Sequence, residues 1–529
     1  MAPTAHELRA WAALALPAGL RAFVDLLPWL VSLSFIGRVN TTMLAALSLT
    51  ETWIYGWMIV SWSAVAMTQS TLISQAHGAR SVRAMRAWAA MSFAASLALG
   101  GVVAGAWVAA KPALDAFGFD PALTALARDY TLAALPVLFL EAFNIAVATY
   151  LQAMQAPGPP LAVGVFNATV DVVVTYGLIF GFGAGAPPPL ASALRGAGLG
   201  WVISSAASAA VNVFVLRWAL GRELDFCDED EDTDAAAGPA GAARSENGGG
   251  SDGAEGAAAE AAEAAADEAG DGGGGGDAPL LARRGDGSGA PRAAHFSRAA
   301  WATFLAQLLP NLGVVAMGSL QYTVVSFLAA GLGPTQIATH NALLCFFEIV
   351  HTAAAGMAEA TAVRVGSHLG RGDARAARTT AAVAVAASGA WGLVVAAAGA
   401  AAHGFVGRIF SDDAAVLAQA AQLRALMWGS YAMLSVGDAC SGVLEGQGRS
   451  AAQAVAGAAG GAVGIGLAVA VTRATEWGLR GLWAAMLAGY LVLDAIAVAF
   501  VLSSNWNALA AAAKERAAVG EREGGGAGE

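Results

Sequence analysis

The chain has 529 residues, of which 57% are hydrophobic and only 13% are charged. A soluble globular protein carries roughly 25% charged residues, so this composition excludes a water-soluble domain and indicates a protein embedded in a lipid bilayer. The formal net charge of −11 comes from residues 223–294, which carry −14 and leave +3 for the rest of the chain.

Twelve long apolar stretches follow one another along the chain. Most exceed the roughly 18 to 20 apolar residues that cross a bilayer as a helix, and they do not alternate as barrel strands do. Six predicted helices precede the acidic segment: 11–37, 42–72, 88–110, 121–152, 160–181 and 196–220. Six follow it: 301–330, 337–365, 376–406, 414–444, 451–471 and 481–503. The predicted fold class is an all-α polytopic membrane protein, with twelve transmembrane helices in two six-helix lobes.

The two sets of six helices share landmarks at matching places. The second helix is followed by Gly78-Ala79-Arg80-Ser81 and the eighth by Gly370-Arg371-Gly372-Asp373. The sixth helix opens with Arg195-Gly196 and the twelfth with Arg480-Gly481. A duplicated set of membrane helices is typical of a secondary transporter, with the substrate path between the repeats. Six crossings per half give the halves the same orientation, so they are parallel repeats.

Arg and Lys predict the topology. One side of the membrane, with both termini and the even-numbered loops, holds 19 Arg and Lys, or 15 without those of the acidic segment; the other side holds 8. The positive-inside rule places the first side in the cytosol.

The domain organisation follows from these stretches. We expect an N-lobe at residues 1–222, a linker at 223–294, a C-lobe at 295–505 and a flexible cytosolic tail at 506–529. The linker consists largely of Gly, Ala, Asp and Glu and cannot bury enough apolar surface to fold. We interpret it as a disordered, solvated cytosolic tether, with a regulatory docking segment as the alternative.

Sequence motifs of enzymes and pumps are absent. The only lysines, Lys111 and Lys514, do not follow Gly, so there is no Walker motif. The sequence also lacks a zinc-protease HExxH, a G-x-S-x-G elbow, a dinucleotide fingerprint and a CxxC pair. We therefore expect no enzyme activity, no metal or other cofactor and no nucleic-acid partner. The energy for transport would come from an ion or substrate gradient, or from a partner chain.

Several helix ends carry a family resemblance. The second helix closes with Gln75-Ala76-His77-Gly78-Ala79, similar to Q-A-Y-G-A. The eighth ends with Arg364-Val365-Gly366-Ser367-His368-Leu369-Gly370, similar to R-V-G-N-x-L-G. The tenth ends with Gly442-Val443-Leu444-Glu445-Gly446-Gln447-Gly448, similar to G-x-x-R-G-x-G. Apart from the linker and the tail, the chain resembles the multidrug and toxic compound extrusion (MATE) family of cation-coupled antiporters.

This resemblance implies a V-shaped pair of lobes that export organic cations, xenobiotics or metabolites by alternating access. The coupling ion would be H⁺ or Na⁺, and the membrane the plasma membrane or a vacuolar or other endomembrane. We expect a monomer in the bilayer with a small-molecule substrate.

Charged residues in membrane helices are costly and are therefore candidates for ion coupling. In the fifth helix, Asn167 and Asp171 lie on one face, and this Asn-x-x-x-Asp resembles the proton-binding pattern of some prokaryotic family members. In the first helix, Asp25 is a second candidate, although Arg21 lies four residues before it and the two charges can neutralise each other. A helix-packing hydrogen bond is the alternative for Asp171.

The eighth helix carries the most distinctive pattern. Glu348, His351 and Glu359 are offset by three and eleven residues, which returns close to the same helix face. Histidine suits proton transfer because it titrates near neutral pH. Asp438 in the tenth helix is a further coupling candidate. A purely structural Glu348–His351 pair remains the alternative.

One departure from the family concerns the seventh helix. Many eukaryotic members carry Glu there, whereas the stretch Met317–Val324 of this chain has no acid. We infer that carboxylates of the eighth and tenth helices, or Asp171, take that role. The predicted substrate-cavity residues are Glu141, Asn144, Gln321 and Tyr322. Glu445 replaces the usual Arg of the tenth-helix motif, and its position predicts a surface role.

Two other functions stay open at this stage. One is a flippase for a lipid-linked sugar, which a basic central cavity would favour. The other is a membrane-bound enzyme or a non-transporting scaffold, which the duplicated helices and the missing catalytic motifs disfavour.

Overall fold

The structure, a computed structural model, describes residues 2–39, 41–181, 190–236, 296–410 and 413–525. These residues form helices joined by short turns. The first half contains α1 (Ala2–Val39), α2 (Thr41–Gly78), α3 (Val82–Val108), α4 (Ala110–Ala116), α5 (Pro121–Ala134), α6 (Val137–Ala153), α7 (Gly158–Phe180) and α8 (Leu190–Ala236). The second contains α9 (Arg298–Gly331), α10 (Pro334–Arg371), α11 (Ala374–Phe410), α12 (Ala414–Gly446), α13 (Ser450–Ala474), α14 (Gly478–Leu502) and α15 (Trp506–Gly525).

Within the described ranges, nine helices are individually long and apolar enough to cross a membrane. A tenth crossing consists of α5 and α6, which meet at a bend of 48°. Pro136 lies in this bend, where it has no N–H to donate to a carbonyl of the preceding turn. The helices α2, with 38 residues, and α12, with 33, correspond to the second and the tenth of the twelve membrane helices predicted from the sequence. The prediction of an all-α polytopic membrane protein with two sets of six helices is confirmed.

The carboxyl-terminal segment differs from its prediction. Residues 506–529 were expected to be flexible, but Trp506–Gly525 forms α15. Its alanines Ala510, Ala513 and Ala517 recur at helical spacing and are buried, so packing against the protein orders this segment. The short helix α4 was also not expected from the sequence.

The linker lies largely outside the described residues. α8 continues to Ala236, beyond the expected start of the linker at residue 223, and residues 237–295 are not described. The described residues before Leu220 and after His295 belong to one compact unit. The proposed domain boundaries stay a prediction.

The repeated loops have a local structural reason. Ser81 is the N-cap of α3, and its side chain accepts a hydrogen bond from the Ala84 amide at 3.3 Å. At the matching place in the second half, the Asp373 carboxylate accepts one from the Ala376 amide at 2.8 Å. Each cap satisfies an amide that the first turn of a helix leaves without an intrahelical partner, so the two loops begin the third and the ninth membrane helix in the same way.

The two halves pack together at one end of the helices. We call the ends of α2 and α10, the start of α1 and the whole of α15 the terminal face. Hydrophobic clusters near this face draw on both halves, as where Trp11 packs with Val363 or Met85 with Phe304. The clusters that contain the start of α2 and the start of α10 each consist of residues from one half. Interior packing therefore joins the halves at the terminal face.

The first helix of one half crosses the eighth membrane helix at a pair of glycines. A Cβ at Gly356 would overlap the backbone N of Gly19, so the backbones of α1 and α10 touch directly. Small residues permit such close approach of membrane helices. On the terminal side of this crossing, the Trp11 indole N–H donates to Thr361 Oγ1 at 3.0 Å.

Candidate functional site

The first polar cluster, which we call the Asp171 cluster, lies between α7 and α8. Ser204 Oγ donates to Asp171 Oδ1 at 3.0 Å, and Ser208 Oγ donates to Asn167 Oδ1 at 2.9 Å. Asn167 and Asp171 are four residues apart on α7, and their two serine partners are four residues apart on α8. The two hydrogen bonds therefore lie along one face of each helix. Asp171 is only 3% exposed. This geometry agrees with the helix-packing interpretation and leaves the coupling role of Asn167 and Asp171 a prediction.

The two cavity candidates of α6 also contact α8. Glu141 Oε1 accepts hydrogen bonds from Ser205 Oγ at 2.5 Å and from the Asn144 side-chain amide at 3.2 Å. Asn144 is buried, and its amide oxygen accepts from Asn212 at 2.9 Å. Asn144 therefore orients Glu141 and joins α6 to α8, while Glu141 itself is half-buried.

Arg21 lies at the centre of a second group, which we call the central cluster: Arg21, Asp25, Glu141 and Glu359. Arg21 Nε lies 3.4 Å from Asp25 Oδ2, and Arg21 Nη1 donates to Gln152 Oε1 at 3.0 Å. Glu141 and Glu359 both interact electrostatically with Arg21 and Asp25. The Asp25 side chain is 45% exposed. The central cluster thus combines three carboxylates and one guanidinium, drawn from both halves of the chain.

The third group, the His351 cluster, lies in the second half and comprises Glu348, His351, Asp438, Tyr322 and Tyr490. His351 Nε2 is 2.8 Å from Asp438 Oδ2, and His351 Nδ1 is 3.9 Å from Glu348 Oε2. The imidazole therefore bridges two carboxylates on different sides of its ring. The Tyr322 and Tyr490 hydroxyls are 2.8 Å apart, and both rings interact electrostatically with Glu348 and Asp438.

The predicted face of α10 therefore serves two clusters. Glu348 and His351 belong to the His351 cluster, whereas Glu359, about three turns after Glu348, belongs to the central cluster. Gln321, predicted to face the cavity, is buried beside two glycines of α13 and α14. A Cβ at Gly464 or Gly489 would lie 3.0 or 3.3 Å from its side-chain nitrogen.

Two acids were missed or misplaced by sequence reasoning. Asp494 is 7% exposed in α14, and neither carboxylate oxygen has a hydrogen-bond partner among the described residues. It interacts electrostatically with Asp438. A lone acid in the apolar run of α14 was the signal available. Glu445, expected at the surface, is instead half-buried and interacts electrostatically with Glu359.

Across the described ranges, no group of three or more His, Cys, Asp or Glu side chains has the arrangement of a metal site. The three clusters contain carboxylates, an imidazole and hydroxyl groups within apolar helices. Such groups can exchange protons and attract cations.

The fold and these buried charges define a polytopic helical membrane protein with ionisable groups inside its helices. A family model described as MatE matches residues 17–177 and 310–472. These ranges cover more than half of the chain and one segment in each half. The chain therefore belongs to the MATE family, which is a family of transporters.

Curated relatives include multidrug and toxin extrusion protein 1 from Homo sapiens, 27% identical over 207 residues, which cover 39% of this chain and 36% of that protein. Protein DETOXIFICATION 24 from Arabidopsis thaliana is 29% identical over 219 residues, 40% of this chain and 43% of that protein. The chain thus aligns with little more than a third of the length of the first of these relatives.

Solved structures share the fold across nearly the whole chain. The eukaryotic MATE transporter AtDTX14 has a TM-score of 0.72 at 18% identity, covering 97% of this chain and 100% of that one. A MOP superfamily transporter from Pyrococcus furiosus has a TM-score of 0.73 at 16% identity, covering 95% of this chain and 96% of that one.

Proposed function

We propose that this protein is a secondary active antiporter that exports organic cations, xenobiotics or metabolites in exchange for H⁺. The observation that carries the proposal is the His351 cluster, an imidazole between two carboxylates within membrane-spanning helices. Ionisable groups at this depth are costly and mark ion pathways in transporters. The names of the curated relatives, multidrug and toxin extrusion proteins, support the same direction of transport.

The His351 cluster favours protons over sodium ions as the coupling ion. An imidazole carries an exchangeable proton on its ring nitrogens, and a protonated imidazole repels Na⁺. The Glu348 side chain is 44% exposed, and the proposed proton route runs from it through His351 to Asp438. By contrast, Asp171 is buried and accepts a hydrogen bond from Ser204, which makes it the secondary candidate.

The central cluster favours a cationic substrate. Asp25, Glu141 and Glu359 outnumber Arg21, so the cluster as a whole attracts positive charge. A flippase for a lipid-linked sugar would need the opposite charge there, to bind an anionic pyrophosphate. We therefore favour the antiporter over the flippase.

The packing of the two halves supports alternating access. Both halves contribute to the hydrophobic clusters at the terminal face, which fits a conformer closed on that side. We propose that the terminal face is cytosolic, because Arg and Lys concentrate on that side. We further propose that the protein acts as a monomer, in the plasma membrane or in a vacuolar or other endomembrane.

Transport by purified protein in liposomes tests the proposal. We expect a pH gradient to drive uptake of tetraethylammonium and a sodium gradient not to. Asp438→Asn should abolish the response to the pH gradient, whereas Asp171→Asn should retain it. Asp115→Asn, an acid-to-amide change outside the membrane-spanning helices, is the matched control and should transport as the unmodified protein does.

Each other result has a defined meaning. Uptake driven only by sodium would contradict proton coupling. Loss of uptake in Asp171→Asn with normal uptake in Asp438→Asn would move the coupling site to the first half. No uptake of any cation under either gradient would contradict the proposed substrate class.

A further inference from the structure

A cavity of about 400 Å³ lies at the terminal face, where the two repeated loops meet the carboxyl-terminal helix. One wall is the loop Gly78–Ser81 of the first half, and a second is Gly370 and Arg371 of the second half. The third wall is α15, through Lys514 and Glu521. The proposed transport mechanism uses none of these residues, although the repeated loops are the most conspicuous landmark of the sequence.

A reciprocal contact holds the two loops together. A Cβ at Gly78 would overlap the carbonyl oxygen of Ser367, and a Cβ at Gly370 would overlap the carbonyl oxygen of Gln75. Ser367 lies three residues before Gly370, and Gln75 lies three residues before Gly78, so the same contact occurs twice with the halves exchanged. Any larger side chain at either glycine would separate α2 from α10 and open this part of the cavity.

Helix α15 attaches to both halves. Arg516 Nε donates to Gln75 Oε1 of the first half at 2.8 Å, and Arg516 Nη2 donates to the Gln447 carbonyl of the second half at 3.1 Å. Burial lowers the pKa of Arg516 to about 10, so its guanidinium stays charged at neutral pH. Farther along, Glu523 accepts a hydrogen bond from the Ser297 amide at 2.8 Å, at the start of α9. The cavity therefore exists only while the two halves and α15 are together.

The lining of this cavity is cationic. Among the described lining residues, each wall contributes one exposed cation, namely Arg80, Arg371 and Lys514, and Glu521 contributes one carboxylate. Arg371 Nη2 donates to His368 Nδ1 at 3.1 Å, which orients its guanidinium. Gly372 has a φ of 84°, and a Cβ there would lie 2.5 Å from Lys514 Nζ, so the missing side chain makes room for the ammonium group.

We propose that this cavity binds a multiply phosphorylated ligand, such as an inositol phosphate or the headgroup of a phosphoinositide lipid. Guanidinium groups bind phosphate oxygens in a bidentate geometry, and cations on three walls suit a ligand with several phosphates better than a single anion. The volume lies within the range of roughly 300–1,000 Å³ that is typical of small-molecule sites. Because the ligand would contact all three walls, its binding stabilises the packed terminal face.

The binding step is independent of the proposed transport function, whereas its effect on transport depends on alternating access. Direct binding is therefore measured first, on the purified full-length chain. Inositol trisphosphate is the soluble probe, and inorganic phosphate is the probe for a single anion. Liposomes with phosphatidylinositol 4,5-bisphosphate are compared with liposomes that carry the same charge as phosphatidylserine.

Two triple variants separate a built site from general surface charge. Arg80→Gln, Arg371→Gln and Lys514→Gln together remove the three lining cations. Arg83→Gln, Arg375→Gln and Arg522→Gln remove three exposed cations from the same regions without touching the cavity lining. We expect the first variant to bind inositol trisphosphate at least about tenfold more weakly, because it loses the charge-assisted hydrogen bonds from the three cations to the phosphate oxygens. The second should bind as the unmodified chain does.

The source of the ligand follows from the same measurements. Binding of the soluble probe alone would assign a soluble phosphorylated compound, and preferential binding to the phosphoinositide liposomes would assign the lipid. Three results would overturn the proposal. One is equal weakening of binding in both triple variants, and another is no binding of any phosphorylated probe. The third is equal binding to both kinds of liposome without binding of the soluble probe.

The conformational effect has its own measurement. Spin labels at Arg86→Cys and Arg378→Cys, at matching places in the two halves, report the separation of α3 and α11 in a chain whose native cysteines are replaced by Ser. We expect inositol trisphosphate to narrow the distribution of distances between the two spin labels and to shift it toward the shorter distances. An unchanged distribution at saturating probe would contradict stabilisation of the packed terminal face.

Discussion

Among the described residues, Glu7 in α1 and Arg364 in α10 form the shortest ion pair between the two halves. Arg364 Nε and Nη2 donate to the two Glu7 oxygens at 2.6 and 2.7 Å, and the side chains are only 9% and 10% exposed. Thr380 Oγ1 donates to the same carboxylate at 2.7 Å, and Arg364 Nη1 also donates to Gln155 Oε1 at 3.2 Å. We predict that Glu7→Gln shifts the protein toward conformers in which the two halves separate at the terminal face.

The magnitude follows from burial. Removing one partner of a buried ion pair leaves an uncompensated charge and costs about 3–5 kcal/mol. Every 1.4 kcal/mol is about tenfold in an equilibrium constant, so the packed conformer should lose more than about 100-fold in population relative to any conformer in which Arg364 reaches water. If no such conformer forms, the same free energy appears as a lower melting temperature.

Two measurements cover both cases. Spin labels across the terminal face report the separation of the halves, and thermal unfolding in detergent reports stability. The matched control is Asp115→Asn, which breaks the Lys111–Asp115 pair, 30% and 38% exposed and outside the membrane-spanning helices. Screening by water makes such a pair weak, so neither readout should change.

A double variant tests the electrostatic reasoning. Glu7→Leu with Arg364→Leu leaves no unpaired charge, and apolar replacement of a buried pair is often neutral. We therefore expect it to recover part of the stability lost in Glu7→Gln. If Glu7→Gln changes neither the distance between the halves nor the melting temperature, the pair does not stabilise the packed terminal face.

Three further predictions follow from particular contacts. Gly78→Val should shift the spin-label distances toward separated halves, because its side chain overlaps α10; Gly101→Val, where nothing lies within 4 Å of a Cβ, is the control and should leave the distances unchanged. Glu359→Gln should raise the KM for tetraethylammonium several-fold with little change in response to the pH gradient, because Glu359 belongs to the central cluster; an unchanged KM would remove it from the substrate path. Asp494→Asn should keep or raise the melting temperature, because the carboxylate oxygens have no hydrogen-bond partner among the described residues; a clear loss of stability would mean that its charge is compensated.

Local signals in the sequence account for much of what was predicted correctly. The apolar runs predicted the long helices, and the loops at Gly78 and Gly370 predicted the repeat, since both depend on residues that are neighbours in the chain. The same reasoning missed α15. From the sequence alone, its alanines resemble those of a flexible Ala-rich tail. The helix is predictable only once it is known that the rest of the protein covers one of its faces.

The sequence by itself determined that this chain crosses a membrane many times, in two matching halves with ionisable residues inside the helices, because hydrophobicity and repetition can be counted along a chain. Only the tertiary structure decided which charge meets which partner. His351 and Asp438 are 87 residues apart, and Glu7 and Arg364 are 357 apart. A helix face can be read from spacing, but the rotation and depth of one helix against another depend on packing, so Glu348 and Glu359 share a face and yet serve different clusters.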